Sequence, residues 1–134
     1  MMRKGYKAML DEAMQAIVTL TPEQAIEHLN KPDVVFVDIR DPRELERDGM
    51  IPGAFHATRG MLEFWIDPES PYHKPVFAED KRFIFYCAGG LRSALATKTA
   101  QDMGLEKIAH IHGGLAEWKK AGLPVNEWKP KEKK

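Results

Sequence analysis

The segment from Arg82 to Ser93 places the only cysteine of the chain between a strand and a helix. Phe83 to Tyr86 form a short apolar and aromatic run, which is typical of a buried strand. Cys87 ends this run, two glycines follow shortly after it, and residues 93–103 predict a helix. A strand, a tight loop and a helix in this order favour a strand–helix unit of a parallel sheet.

Strands and helices alternate along the rest of the chain. Val34 to Ile39 is a continuous apolar run, which is typical of a central parallel strand. The pattern predicts a single α/β domain with an open, mostly parallel five-stranded sheet and helices on both faces. Shorter strands are predicted at 17–20, after the turn at 51–54 and at 107–111, and helices at 21–29, 43–47, 58–67 and 115–120.

Residues 1–17 predict an amphipathic helical extension before the first strand. Its apolar side chains recur at three- and four-residue spacing. This face docks on the domain or, alternatively, forms a homodimer contact. Residues 129–134 are rich in lysine and predict a disordered tail. The apolar positions of the extension are Tyr6, Met9, Leu10, Ala13, Met14 and Ile17.

The composition narrows the classes of function. Twenty basic and twenty acidic residues balance, so neither nucleic acid nor a membrane surface is expected as a partner. One cysteine excludes an internal disulfide and any multi-cysteine metal site. No run approaches the length of a membrane span, and Asp11 and Glu12 interrupt any signal-peptide core, so we expect a cytoplasmic location.

The position of Cys87 has chemical consequences. The first N–H groups of a helix lack helical partners and carry the positive end of its dipole. A glycine-containing loop can turn further N–H groups inward and so form a cradle for an anion. Such a cradle favours the thiolate, which is the nucleophilic form of cysteine. The alternative is an inert cysteine buried at the end of a core strand.

Four segments resemble the motifs of rhodanese-like sulfurtransferases, and they occur in that family's order. The resemblance spans roughly residues 20–125, and Met50 stands where the family usually has histidine. The segments are Cys87-Ala88-Gly89-Gly90-Leu91-Arg92, Val37-Asp38-Ile39-Arg40-Asp41-Pro42-Arg43-Glu44-Leu45, Gly49-Met50-Ile51-Pro52-Gly53-Ala54-Phe55-His56 and Gly113-Gly114-Leu115-Ala116-Glu117-Trp118.

This resemblance implies a two-step sulfur transfer that needs no cofactor. The Cys87 thiolate would attack a small sulfur-containing anion such as thiosulfate, or a persulfide donor, and become a persulfide. A thiol or cyanide acceptor would then remove the outer sulfur. The backbone amides of the loop would stabilise both anions, as an oxyanion hole does. The amides in question are those of Ala88, Gly89, Gly90, Leu91 and Arg92.

Charged side chains around the loop have several candidate roles. Arg92 either contacts the bound anion or pairs with Asp38 or Glu44 to brace the loop, and bracing is preferred.

Arg40 and Arg43 are expected to form ion pairs rather than to contact substrate. His56 and Arg59 are candidates for the mouth of the pocket.

One feature departs from the family pattern. Many members carry a cation directly after the cysteine, whereas this chain has Ala88 there and no cation before Arg92. Thiosulfate binding would then depend on backbone amides and on Arg59. We therefore expect weak thiosulfate activity, with a persulfide as an alternative natural donor.

Three alternatives remain at this stage. A loop-cysteine phosphatase is disfavoured because such loops resemble C-x5-R, one residue longer than the C-x4-R found here. A non-turnover sulfur-carrier or redox-sensing module would use Cys87 only as a store of sulfur. A metal site at His110 and His112 is disfavoured because no third ligand is evident.

Overall fold

The computed structural model describes residues 2–130 and contains one five-stranded sheet. The strands lie in the order β1-β5-β4-β2-β3, and every pair is parallel. The predicted open parallel sheet is therefore confirmed. The strands are β1 (Val18–Leu20), β2 (Val34–Asp38), β3 (Phe55–His56), β4 (Arg82–Tyr86) and β5 (Ile108–Ile111).

In the described part of the chain, six α-helices connect or flank these strands, and short 3₁₀ helices lie at Ile26–His28, Arg59–Met61 and Pro75–Ala78. The α-helices are α1 (Tyr6–Ala16), α2 (Pro22–Ala25), α3 (Pro42–Asp48), α4 (Leu62–Ile66), α5 (Leu91–Met103) and α6 (Gly114–Lys120). Within the described residues, none of these helices has both the length and the apolar character required to cross a bilayer.

Three predicted helix boundaries were wrong. The helix at 21–29 is α only as far as Ala25 and then tightens into a 3₁₀ turn. The helix at 58–67 begins with a 3₁₀ turn that contains Gly60, a residue of low helix propensity. The helix after the loop at residues 87–90, called the active loop below, begins at Leu91 rather than Ser93. Gly90 takes a left-handed conformation (φ 99°), and the helix starts directly after it.

Two apolar cores lie on opposite faces of the sheet. This confirms the prediction that helices cover both faces. One core packs β-strand side chains such as Phe85 against α4 and α5. The other packs the alternate side chains, such as Ile84, against α2 and α6. Because successive strand residues point to opposite faces, the continuous apolar run of β4 fills both cores.

Helix α1 lies against α5 through a narrow contact. Ala13 is buried, and the Gln101 side-chain amide donates to the Ala16 carbonyl at 2.9 Å. Tyr6, Met9 and Met14 stay exposed. The apolar face predicted from spacing is therefore wider than the part of it that packs. Of the predicted disordered tail, residues 131–134 lie outside the described residues.

Helix α6 packs directly behind the loop that follows β4. The Leu115 N–H donates to the Cys87 carbonyl at 2.9 Å, and the Ala116 N–H donates to the Ala88 carbonyl at 3.0 Å. This approach requires a residue without a side chain at Gly114, which has φ 58°. A β-carbon there would lie 2.8 Å from the Ala88 carbonyl and closer still to the Cys87 oxygen.

Replacing Gly114 with alanine should therefore destabilise the domain. The positive φ alone costs a non-glycine residue about 1–3 kcal/mol, and the backbone clash adds to this cost. Urea denaturation of Gly114→Ala would measure the loss. Gly60→Ala is the matched control, because nothing lies within 4 Å of its β-carbon position. Equal stability of both variants would contradict the packing described here.

Candidate active site

The Cys87 sulfur lies at the carboxyl end of β4 and is enclosed by the loop that follows. The residue is 1% exposed. The Gly90 N–H points at Sγ from 3.1 Å and the Ser93 N–H from 3.4 Å. Two backbone donors therefore converge on the sulfur, which favours negative charge there.

Two further loop amides are oriented indirectly by α6. The carbonyl groups of Cys87 and Ala88 point outward, because α6 donates hydrogen bonds to both. In a planar trans peptide the following N–H points the opposite way. The N–H groups of Ala88 and Gly89 therefore point away from α6. Gly89 is exposed, so this edge of the cradle faces solvent.

Arg92 and Glu44 form a bidentate ion pair beside the loop. Nη1 and Nη2 of Arg92 donate to the two Glu44 carboxylate oxygens at 2.7 and 2.9 Å. The hydrogen bond from Arg92 holds the pKa of Glu44 at about 2, despite partial burial. The pKa of Arg92 is raised by the same bond, with a smaller contribution from Cys87. This geometry ties the start of α5 to α3.

Asp38 and Arg40 form a second, fully buried pair. The Arg40 Nε donates to Asp38 Oδ1 at 2.9 Å and its Nη2 to Oδ2 at 2.7 Å. Nη2 also donates to the Gly49 carbonyl at 2.6 Å. Burial lowers the pKa of Arg40, but Asp38 outweighs this effect and raises it overall. Within residues 2–130, no side-chain hydrogen bond joins this pair to residues 87–92, so it supports the chain at Gly49.

The two residues predicted at the pocket mouth lie in different surroundings. His56 Nε2 bonds to the Arg40 carbonyl at 2.7 Å, and its ring contacts that of Trp128.

Arg59 pairs with Glu63 at 2.7 Å. Arg59 and Arg92 both line an open cleft of about 410 Å³ between α1 and α5. Of the two predicted residues, only Arg59 shares a concavity with the active loop.

Leu91 is one of the predicted loop residues, but its side chain is largely exposed to solvent. It occupies the first position of α5 and is 59% exposed. No hydrogen bond from the Leu91 amide to the sulfur occurs within the described part of the chain. The donors that reach Sγ come from the residue before it and from Ser93.

Sequence reasoning missed two site residues, Ser93 and His110. The Ser93 hydroxyl lies 3.5 Å from Cys87 Sγ and 3.0 Å from His110 Nδ1. Burial and the nearby His112 lower the pKa of His110 to about 4. The position of Ser93 directly after Arg92 was the available signal. The sequence pairs His110 only with His112, which is exposed beyond the end of β5.

No group of three or more histidine, cysteine or acidic side chains suited to a metal ion occurs among residues 2–130. The site consists of the Cys87 thiol, the backbone N–H groups of Gly90 and Ser93 that point at it, and the Arg92–Glu44 ion pair beside the loop. These features are typical of proteins that hold an anionic cysteine sulfur among backbone N–H groups.

Comparison with known proteins identifies the family. The rhodanese-like domain model matches residues 21–121. The chain therefore belongs to the rhodanese-like domain family. Thiosulfate sulfurtransferase GlpE of Glaesserella parasuis is 30% identical over 83% of this chain and 94% of its own length. Several other curated relatives are longer, and the chain spans between 28% and 60% of their length.

Two solved structures extend the comparison. A protein of Rhodopseudomonas palustris described as a possible tyrosine phosphatase is 65% identical, with a TM-score of 0.91, over 94% of this chain and 97% of its own. The polysulfide-sulfur transferase homodimer of Wolinella succinogenes is 31% identical, with a TM-score of 0.69, over 90% of this chain and 86% of its own. The fold and family are thus shared with sulfurtransferases.

The ion pair of Glu44 should give the domain a specific dependence on pH. Because the folded state holds the pKa near 2, below the value of 4.5 for an unpaired glutamate, the stabilisation is present above pH 4.5 and is lost as pH falls toward 2. We expect Glu44→Gln to be less stable than the parent by about 1 kcal/mol at pH 6 and to show a smaller deficit at pH 3.

Urea denaturation at the two pH values measures this difference. Glu46→Gln serves as the control, since Glu46 is exposed on the same helix. A deficit that stays constant from pH 6 to pH 3 would show that the charge of Glu44 is not the source.

Proposed function

We propose that this protein is a sulfurtransferase that carries sulfane sulfur as a persulfide on Cys87. The observation that supports this most strongly is the convergence of the Gly90 and Ser93 N–H groups on Sγ, at 3.1 and 3.4 Å. Several donors fixed around one atom stabilise an anion without reorganising during the reaction. Membership of the rhodanese-like family, which includes sulfurtransferases, supports the same reaction class.

The proposed reaction has two displacements at sulfur. The Cys87 thiolate attacks the outer sulfur of thiosulfate, the S–S bond of the donor breaks, and sulfite leaves with the bonding electron pair. The negative charge then resides on the outer sulfur of the persulfide, and we propose that the N–H groups of Ala88 and Gly89, which point away from α6, donate to it. A thiol or cyanide attacks this outer sulfur, and the Cys87 thiolate is released for the next cycle.

The natural donor is proposed to be a persulfide or polysulfide rather than thiosulfate. The loop carries no cationic side chain before Arg92, and Glu44 neutralises Arg92. A dianion such as thiosulfate therefore meets little positive side-chain charge. The similarity to a polysulfide-sulfur transferase supports this donor class. We propose a reducing, cytoplasmic setting, since the lone thiol must remain reduced to react.

Mass spectrometry of the intact protein tests the reaction class. After exposure to thiosulfate or a persulfide, we expect the mass to increase by one sulfur atom, and cyanide should remove it. Cys87→Ser should gain none. A gain of sulfur that neither cyanide nor thiols remove would favour a passive carrier. No gain with any donor would contradict the proposal.

A kinetic experiment tests the contribution of Arg59. Its guanidinium is half-buried, lines the same cleft as Arg92 and pairs with the partly exposed Glu63. We expect Arg59→Ala to raise KM for thiosulfate about fivefold, because the loss of one partly screened interaction between charges has an effect of this size. Arg47→Ala is the control, because its pair with Asp48 is exposed. Rapid thiosulfate turnover unaffected by Arg59→Ala would contradict the proposed donor preference.

A phosphatase is the second candidate, because the Rhodopseudomonas palustris protein is described in those terms. Two features of this chain disfavour it. Four residues separate Cys87 from Arg92, one fewer than the phosphatase loop needs to enclose a phosphoryl group. Arg92 is also held by Glu44 outside the loop. If the protein hydrolyses an aryl phosphate and Cys87→Ser abolishes this hydrolysis, a phosphatase becomes the preferred function.

A homodimer formed through α1 remains a proposal. The exposed side chains of Tyr6, Met9 and Met14 lie on that helix and supply an apolar surface. The Wolinella succinogenes transferase, which is similar to this chain, is a homodimer, and this similarity supports the proposed homodimer. Small sulfur compounds remain the proposed donors and acceptors in either state.

A further inference from the structure

A chain of polar side chains runs from the reacting sulfur across the sheet to β1. Ser93 Oγ lies 3.5 Å from Cys87 Sγ, and His110 Nδ1 lies 3.0 Å from that hydroxyl. On the other side of the imidazole ring, Nε2 lies 3.1 Å from Thr19 Oγ1. Of these residues, Ser93 and His110 are buried, while Thr19 is partly exposed. Apart from Cys87, none of these groups reacts in the sulfur transfer described above.

The imidazole of His110 is uncharged in this environment. It is 2% exposed, and its neighbours across the sheet are Thr19 on β1 and Phe85 on β4. Helix α5 contributes Ser93, and the titratable groups nearby are His112 on the same segment and Cys87 beyond Ser93. Burial and His112 hold the pKa near 4, so the ring carries one N–H above about pH 5.

A ring with a single N–H allows two directions of hydrogen bonding along the chain. If Nε2 carries the proton, it donates to Thr19, Nδ1 accepts from the Ser93 hydroxyl, and the Ser93 oxygen accepts from a neutral Cys87 thiol. If Nδ1 carries the proton, it donates to Ser93, and the Ser93 hydroxyl is free to donate to a sulfur anion. The Ser93 hydroxyl has only one proton to donate, and its neighbours that can accept it are an anionic Cys87 Sγ, His110 Nδ1 and, at 3.3 Å, the Gly90 carbonyl oxygen. An Nδ1–H tautomer removes His110 from these acceptors, so the tautomer of His110 decides whether the proton is available to the sulfur.

We propose that His110 is a positioning residue for sulfur transfer: its Nδ1–H tautomer turns the Ser93 hydroxyl toward the anionic sulfur of Cys87, and the opposite tautomer supports the neutral thiol. The proposal rests on the proposed function in taking Cys87 as the reacting group. It adds a third donor, the Ser93 O–H, to the two backbone donors. Charge-assisted hydrogen bonds of this kind are stronger than neutral ones.

The change between the two states balances in protons. The thiol proton passes to Ser93 Oγ while the former Ser93 proton passes to His110 Nδ1. The proton on Nε2 passes to Thr19 Oγ1, and the former Thr19 proton goes to solvent at the partly exposed end of the chain. One proton leaves the protein, the sulfur becomes anionic, and the imidazole stays neutral throughout.

A merely structural role for His110 predicts the opposite effect on the thiol. If the imidazole only accepted the Ser93 proton, it would compete with the sulfur for that proton. Its removal would then leave the hydroxyl to the sulfur and to the Gly90 carbonyl oxygen, and the thiolate would form as easily as in the parent or more easily. The sign of the change on removing His110 therefore separates the two roles.

The test is the rate of alkylation of Cys87 by iodoacetamide as a function of pH, which needs no sulfur donor. We expect His110→Leu to move the midpoint of this profile upward by about one pH unit, which is a tenfold loss of reactive thiolate below the midpoint. Thr19→Val should move the midpoint in the same direction by less. His110→Asn retains an N–H donor toward Ser93 and should restore most of the parental profile.

His112→Ala is the matched control, because His112 is exposed and outside the chain of hydrogen bonds. Its midpoint should equal that of the parent. A midpoint that is unchanged or lower in both His110→Leu and Thr19→Val would overturn the proposal. If His110→Leu does not fold, Thr19→Val decides the question alone, since it retains all groups that touch the sulfur. Absence of persulfide formation in the mass experiment would overturn the proposed reaction and leave the alkylation result unaffected.

Discussion

The geometry of the active loop depends on the two hydrogen bonds that α6 donates to it. Leu115 and Ala116 hold the carbonyl groups of Cys87 and Ala88 pointing away from the site. Because each peptide is planar, the next N–H group in each case points away from α6. The closeness of the two backbones is possible only because Gly114 has no side chain. A glycine some 27 residues beyond the cysteine thereby shapes the anion cradle.

The charged residues around the loop divide into two groups with different physical roles. The buried Asp38–Arg40 pair has a high desolvation cost, which its close hydrogen bonds to one another and to Gly49 offset. The Glu44–Arg92 pair is partly exposed and joins α3 to α5. It fixes the entry of α5 and neutralises the one arginine of the loop. The backbone amides are therefore the main source of positive potential at the sulfur.

Several elements followed from local sequence because local physics determines them. Thr21 and Asp41 each form a capping box with the glutamine or glutamate three residues later, and the helices predicted at 21–29 and 43–47 begin directly after these two caps. The strands β2 and β4 were evident from continuous apolar runs. The lengths of the helices were less predictable, because tertiary packing decides where a weak helix tightens into a 3₁₀ turn, as at Arg59–Met61.

The sequence by itself determined the α/β class, the position of Cys87 after a strand and the motifs of the rhodanese-like family. These features depend on apolar runs and on the order of a few residues. Only the tertiary structure decided which groups meet at the sulfur. Ser93 reaches it from the first turn of α5, and His110, which bonds to Ser93, comes from the neighbouring strand. Strand order sets that neighbour, and the spacing of residues along a single chain does not encode which strands lie side by side.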